Sequence, residues 1–140
     1  MTASERAQCA TIAAGLRAAS AWAPVAGFGA ATAAAYIALW PQRAWPLAFG
    51  VLALALIERW YAFRLRLDQT LFAALAQADA LDLAGLDHAM HALGLRRARA
   101  TERPLADRLR GARGLVMRHA AVVLAIALLT AALLIDAVRH

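Results

Sequence analysis

Residues 18–40 contain no charged side chain, and that uninterrupted run restricts the chain more than any other feature. As a helix rising 1.5 Å per residue, such a run crosses the roughly 30 Å hydrocarbon core of a bilayer. Lipid offers no hydrogen bonds to the backbone, so a segment that enters it must satisfy its own N–H and C=O groups, which a helix does. Two further uncharged blocks, 44–57 and 120–135, repeat the pattern. Hydrophobic residues make up 63% of the 140 positions and charged residues only 17%, too lopsided for an ordinary water-soluble domain. The expected fold is an all-α membrane protein with three transmembrane helices.

The first span, 18–40, is rich in Ala and Gly, and Pro24 interrupts its hydrogen-bond ladder. Gly27/Ala31 and Ala30/Ala34 recur at four-residue spacing, a pattern that lets a neighbouring backbone approach closely. Ala33-Ala34-Ala35 resembles a signal-peptide cleavage site, but Glu5 and Arg17 upstream and the lack of an exported soluble domain downstream favour a retained span. Residues 41–44, set between Trp40 and Trp45, form a turn too short for anything but a hairpin. The second span covers 45–63 and closes on Trp60 and Tyr61. The third covers 119–138, leaving 139–140 beyond it.

All fifteen basic residues are arginine. Thirteen lie in 1–17 or between Arg59 and Arg118, and only Arg43 and Arg139 fall on the other side. By the positive-inside rule the N-terminal segment 1–17 and the segment 64–118 are cytoplasmic, while the 41–44 turn and the C terminus are external, in a bacterial inner membrane. The same bias accounts for the net charge of +6 and the pI near 11.2 without invoking nucleic acid, since no basic platform interleaved with aromatics is present.

Segment 64–118 is too apolar for a disordered linker. Leu67, Leu71, Ala74, Leu75 and Ala78 continue the second span as an amphipathic stripe, and Leu105, Leu109, Ala112 and Val116 lead into the third. The two extensions are expected to form an antiparallel cytoplasmic hairpin, with Leu71 and Leu75 against Leu105, Leu109 and Ala112. A short tip helix is expected over 83–93, with Asp82 as its cap and Gly94 as its stop. Its apolar face, Leu83, Leu86, Met90 and Leu93, together with Arg96, Arg97 and Arg99, makes a candidate docking surface for a protein partner.

Chemistry-bearing patterns are sparse. His88 and His91 are three apart but lack a converging second pair of metal ligands, and Cys9 stands alone. No nucleophile elbow, phosphate loop or paired carboxylates can be assembled, so neither enzymatic activity nor a cofactor or metal is expected. Glu58 lies one to two turns inside the boundary marked by Arg64, where a carboxylate must snorkel, take up a proton or find a donor. Arg17, Arg118 and His119 approach the same level from the other helices. The expected role is a non-catalytic accessory or scaffold subunit that contacts membrane lipid and either a protein partner or further copies of itself. The alternative is a small oligomeric transporter or channel-like protein using Glu58.

Overall fold

The computed structural model describes residues 2–40, 45–77 and 105–139, and every element within them is helical: α1 (Ala3–Ser20), α2 (Ala23–Leu39), α3 (Trp45–Gln77) and α4 (Leu105–Val138). The tip helix expected over 83–93 and the arginines at 96–99 lie outside the described residues. Taking α1 and α2 as one kinked rod, three helical stretches are long and apolar enough to cross a membrane, as in a multi-pass membrane protein. The 33 residues of α3 and 34 of α4 each span about 50 Å, so both exceed a bilayer core by about 20 Å.

Helix α1 starts with a capping box. The Glu5 N–H donates to Thr2 Oγ1 at 3.2 Å, and the Thr2 N–H donates to Glu5 Oε2 at 2.8 Å. It ends at Ser20 because Pro24 cannot donate to the carbonyl four residues back. Ala21 and Trp22 form the joint, after which α2 continues with Pro24 in its first turn. Residues 1–17, expected only as a segment preceding the first span, therefore lie largely within a helix that continues past Ala18.

Along α3 the buried positions are Ala48, Val51, Ala55, Glu58, Ala62, Leu65, Phe72 and Leu75. Along α4 they are Ala112, His119, Val123, Ile126, Thr130 and Leu133. Steps alternate between three and four, with half-buried Gln69 and Val116 bridging the seven-residue gaps. The kinked rod follows the same rule through Cys9, Leu16, Ala19, Ala23, Ala26 and Ala33. A 3.5-residue repeat keeps each stripe facing its neighbours, as in a coiled coil.

Two apolar clusters result. Cys9, Leu16 and Ala19 of α1 pack with Leu65, Phe72, Leu75 and Ala112 at the arginine-rich end. Ala26, Ala33 and Tyr36 of α2 pack with Ala48, Val51, Ile126 and Leu133 at the other. The expected stripe is shifted: Leu75 and Ala112 are buried with Leu109 packed alongside, but Phe72 takes the central place and Leu71 is only half-buried. Large apolar residues such as Phe28, Leu56, Leu124 and Leu128 face outward from the apolar spans, where lipid would cover them.

The close approach of α2 uses a different face from the one expected. Ala31 and Ala34 are exposed, while Ala26, Gly29 and Ala33 are buried. A Cβ at Gly29 would lie 2.6 Å from Ile126 Cγ2 and 2.9 Å from Thr130 Oγ1, whereas one at Gly27 would meet only an Arg59 guanidinium nitrogen at 3.7 Å. Gly29→Ala should therefore lower unfolding stability by about 1–3 kcal/mol through overpacking, with Gly27→Ala close to neutral. Thermal or denaturant unfolding of the two variants in detergent checks the difference, and equal effects would contradict this packing.

Candidate functional site

Between the two apolar clusters the helices share one polar layer. Glu58 occupies a seam position on α3, His119 occupies one on α4, and both side chains are fully buried. The contact joins Glu58 Oε1 and His119 Nε2 at 3.1 Å. One proton serves it: either the imidazole Nε2–H donates to a carboxylate, or a protonated carboxyl donates to Nε2. Glu58 Oε2 and His119 Nδ1 have no hydrogen-bond partner among the described residues, and neither has Thr130 Oγ1, about three turns along α4. Arg59 Nε lies 3.9 Å from Glu58 Oε2, an electrostatic contact beyond hydrogen-bond reach from a side chain that is 62% exposed.

Of the three groups expected near Glu58, His119 makes the contact, while Arg17 and Arg118 are exposed. The chemistry of the layer is that of a buried acid–imidazole pair, able to hold two helices in one register or to pass a proton if a route reached it. Leu83, Leu86, His88, Met90, His91, Leu93, Arg96, Arg97 and Arg99 all lie outside the described residues. Among the described residues no three histidine, cysteine or carboxylate side chains cluster as metal ligands.

Two features had no expectation attached. At the far end of the bundle the Tyr36 hydroxyl donates to Asp136 Oδ2, joining α2 to α4. The pair is distant along α4 from His119, so the two polar contacts form separate sites. At the arginine-rich end a groove of about 570 Å³ runs between α3 and α4, lined by Arg64, Asp68, Arg108, Arg110 and Arg118 around apolar side chains. The seven-residue repeat through Glu58 and His119 could have revealed their pairing. The groove depends on which side of α3 and α4 is left open by α1, which no spacing in the sequence states.

No protein-family model matches the chain, and neither the curated proteins nor the solved structures give a significant match.

Removing one member of a buried pair strands the other. His119→Leu, which leaves the carboxylate without its donor or acceptor, should cost about 3 kcal/mol, and Glu58→Leu somewhat less. The double variant should recover to within about 1 kcal/mol of wild type, because two apolar side chains satisfy one another. Equilibrium unfolding of all four proteins in mixed micelles measures the coupling; strictly additive losses would mean the two groups do not act as a pair.

Proposed function

We propose that the chain is a non-catalytic accessory or scaffold subunit of a bacterial inner-membrane complex. In this reading three helices span the bilayer, with the N terminus cytoplasmic and the C terminus external. The arginine-rich halves of α3 and α4 project into the cytoplasm as a hairpin, buttressed by α1, and carry the segment 78–104 at their tip. Thirteen of fifteen arginines on that side support the orientation. The observation that carries the role is the seam itself. Side chains fill it through both clusters, and its buried acid, Glu58, is engaged by His119 within the same protein. A bundle built this way suits a rigid support that presents a surface.

A second reading, a small proton-coupled transporter working as an oligomer, draws on one observation. Glu58 Oε2 and His119 Nδ1 retain unused hydrogen-bonding capacity at full burial. Such groups are default candidates for intramembrane proton handling.

One preparation separates the two readings. Tagged full-length protein purified in mild detergent is expected to bring down a defined partner at fixed stoichiometry. Replacing residues 83–99 by a short flexible linker should weaken that complex while leaving membrane insertion intact. In proteoliposomes the wild type and Glu58→Gln should show the same background proton leak. Proton-driven flux that disappears in Glu58→Gln would reject the scaffold role in favour of transport.

A further inference from the structure

The groove between α3 and α4 goes beyond the accessory reading and does not depend on it. Its low end lies at the boundary of the apolar bundle: Arg64 is one helical turn past Trp60, and Arg118 adjoins the buried His119. From there it climbs away from the apolar spans past Asp68, Leu71, Phe72 and Leu75 on one wall and Leu115, Gly114, Gly111 and Arg110 on the other. Among the described residues a Cβ at Gly111 or Gly114 would meet nothing within 4 Å, so α4 presents bare backbone to the groove at these two positions. At about 570 Å³ the space is in the range of pockets that hold small molecules or lipid headgroups.

Charge selects the occupant. Four arginines from two helices line the groove against two aspartates, leaving an excess of positive charge. Asp68 lies 3.9 Å from Arg64 and Asp107 lies 3.5 Å from Arg110, each pair within one helix. Arg118 is exposed and has no ion-pair partner among the described residues. Guanidinium forks match phosphate oxygens in pairs. Leu71, Phe72, Leu75 and Leu115 line the part of the groove further from the apolar spans than Arg64 and Arg118. A ligand that is anionic and concentrated where Arg64 and Arg118 stand, with its apolar chains left in the adjoining bilayer, is an anionic phospholipid. We propose that this groove is a binding site for the phosphate headgroup of an anionic lipid, held at its low end by Arg64 and Arg118.

The test uses the full chain, purified in mild detergent and offered phosphatidylglycerol or phosphatidylcholine, with retained lipid counted by native mass spectrometry. Wild type should retain phosphatidylglycerol preferentially. An arginine near a charged lipid surface is worth roughly fivefold in affinity, so Arg64→Gln/Arg118→Gln should lose on the order of 25-fold. Arg6→Gln/Arg17→Gln, which removes two arginines outside the groove, should lose little. Gly114→Met fills the groove without changing charge and, as a better helix former, should not weaken folding; it is expected to reduce retention as well. Circular dichroism checks that each variant keeps its helicity, and Gly114→Met decides the matter if loss of Arg64 disturbs α3. The proposal fails if wild type shows no preference, if both arginine pairs lose equally, or if Gly114→Met retains lipid normally. It also fails if millimolar inorganic phosphate displaces the lipid where equal ionic strength of chloride does not, since the site would then read the free anion.

Discussion

Glu58 and His119 can meet only if α3 and α4 run antiparallel in one register, and the rest of the bundle follows from that register. Seven residues along α3 from Glu58 is Leu65, and seven back along α4 from His119 is Ala112; both belong to one cluster. Seven the other way brings Val51 to the level of Ile126, and Gly29 of α2 sits against both. Sliding α4 by a heptad would set Glu58 opposite Ala112 or Ile126 and leave a carboxylate in apolar surroundings. That cost, several kcal/mol for an unpaired buried ion, far exceeds what one apolar contact contributes. An alanine-rich seam is nearly the same in every heptad and discriminates poorly between registers. The polar layer supplies the discrimination, the best-attested use of buried polar groups in coiled coils.

The remaining helix attaches by two different means, divided at the Ala21–Trp22 joint. Above it α1 uses Cys9 and Leu16 as apolar knobs between α3 and α4, a mode driven by removing surface from water. Below it α2 presents Ala26, Gly29 and Ala33, and contact comes from backbone proximity rather than side-chain bulk. The change matches the change of solvent expected along the rod: hydrocarbon gives no hydrophobic drive between helices, so close packing of small residues takes over. Pro24 sits at that transition and lets the rod bend where its packing rule changes.

The three spans were legible because the uncharged runs set helix length directly, and the level of Glu58 and His119 could be counted from Arg64 and Arg118. Their pairing was only one of three choices, since Arg17 and Arg118 reach the same height and rotation about each axis is needed to choose. Rotation was the harder quantity. Between residues 67 and 78 apolar residues occupy almost every direction, so Leu71 and Phe72 compete for the same face, and the buried stripe takes Phe72 in place of Leu71 while keeping Leu75. Alanine makes the first span similarly isotropic: Gly27, Gly29, Ala30, Ala31, Ala33 and Ala34 could each begin a small-residue face. Helix α1 was hidden for the opposite reason, because Glu5, Arg6 and Arg17 mask a buried stripe of only three residues, Cys9, Leu16 and Ala19.

Glycine shows how far composition stops short of geometry. Gly29 and Gly114 are both helix-interior glycines, and by propensity each weakens its helix by about 1 kcal/mol relative to alanine. At Gly29 the missing side chain is replaced by Ile126 and Thr130 of another helix, so tertiary packing offsets the loss. At Gly111 and Gly114 no described residue takes its place. The first arrangement brings α2 close at the apolar end of the bundle; the second lines the groove between α3 and α4 at the arginine-rich end. One residue type thus serves a close contact between α2 and α4 and an open stretch of the groove between α3 and α4. What separates the two outcomes is the third helix, which presses its small-residue face against α4 at one end and leaves the groove unlined at the other.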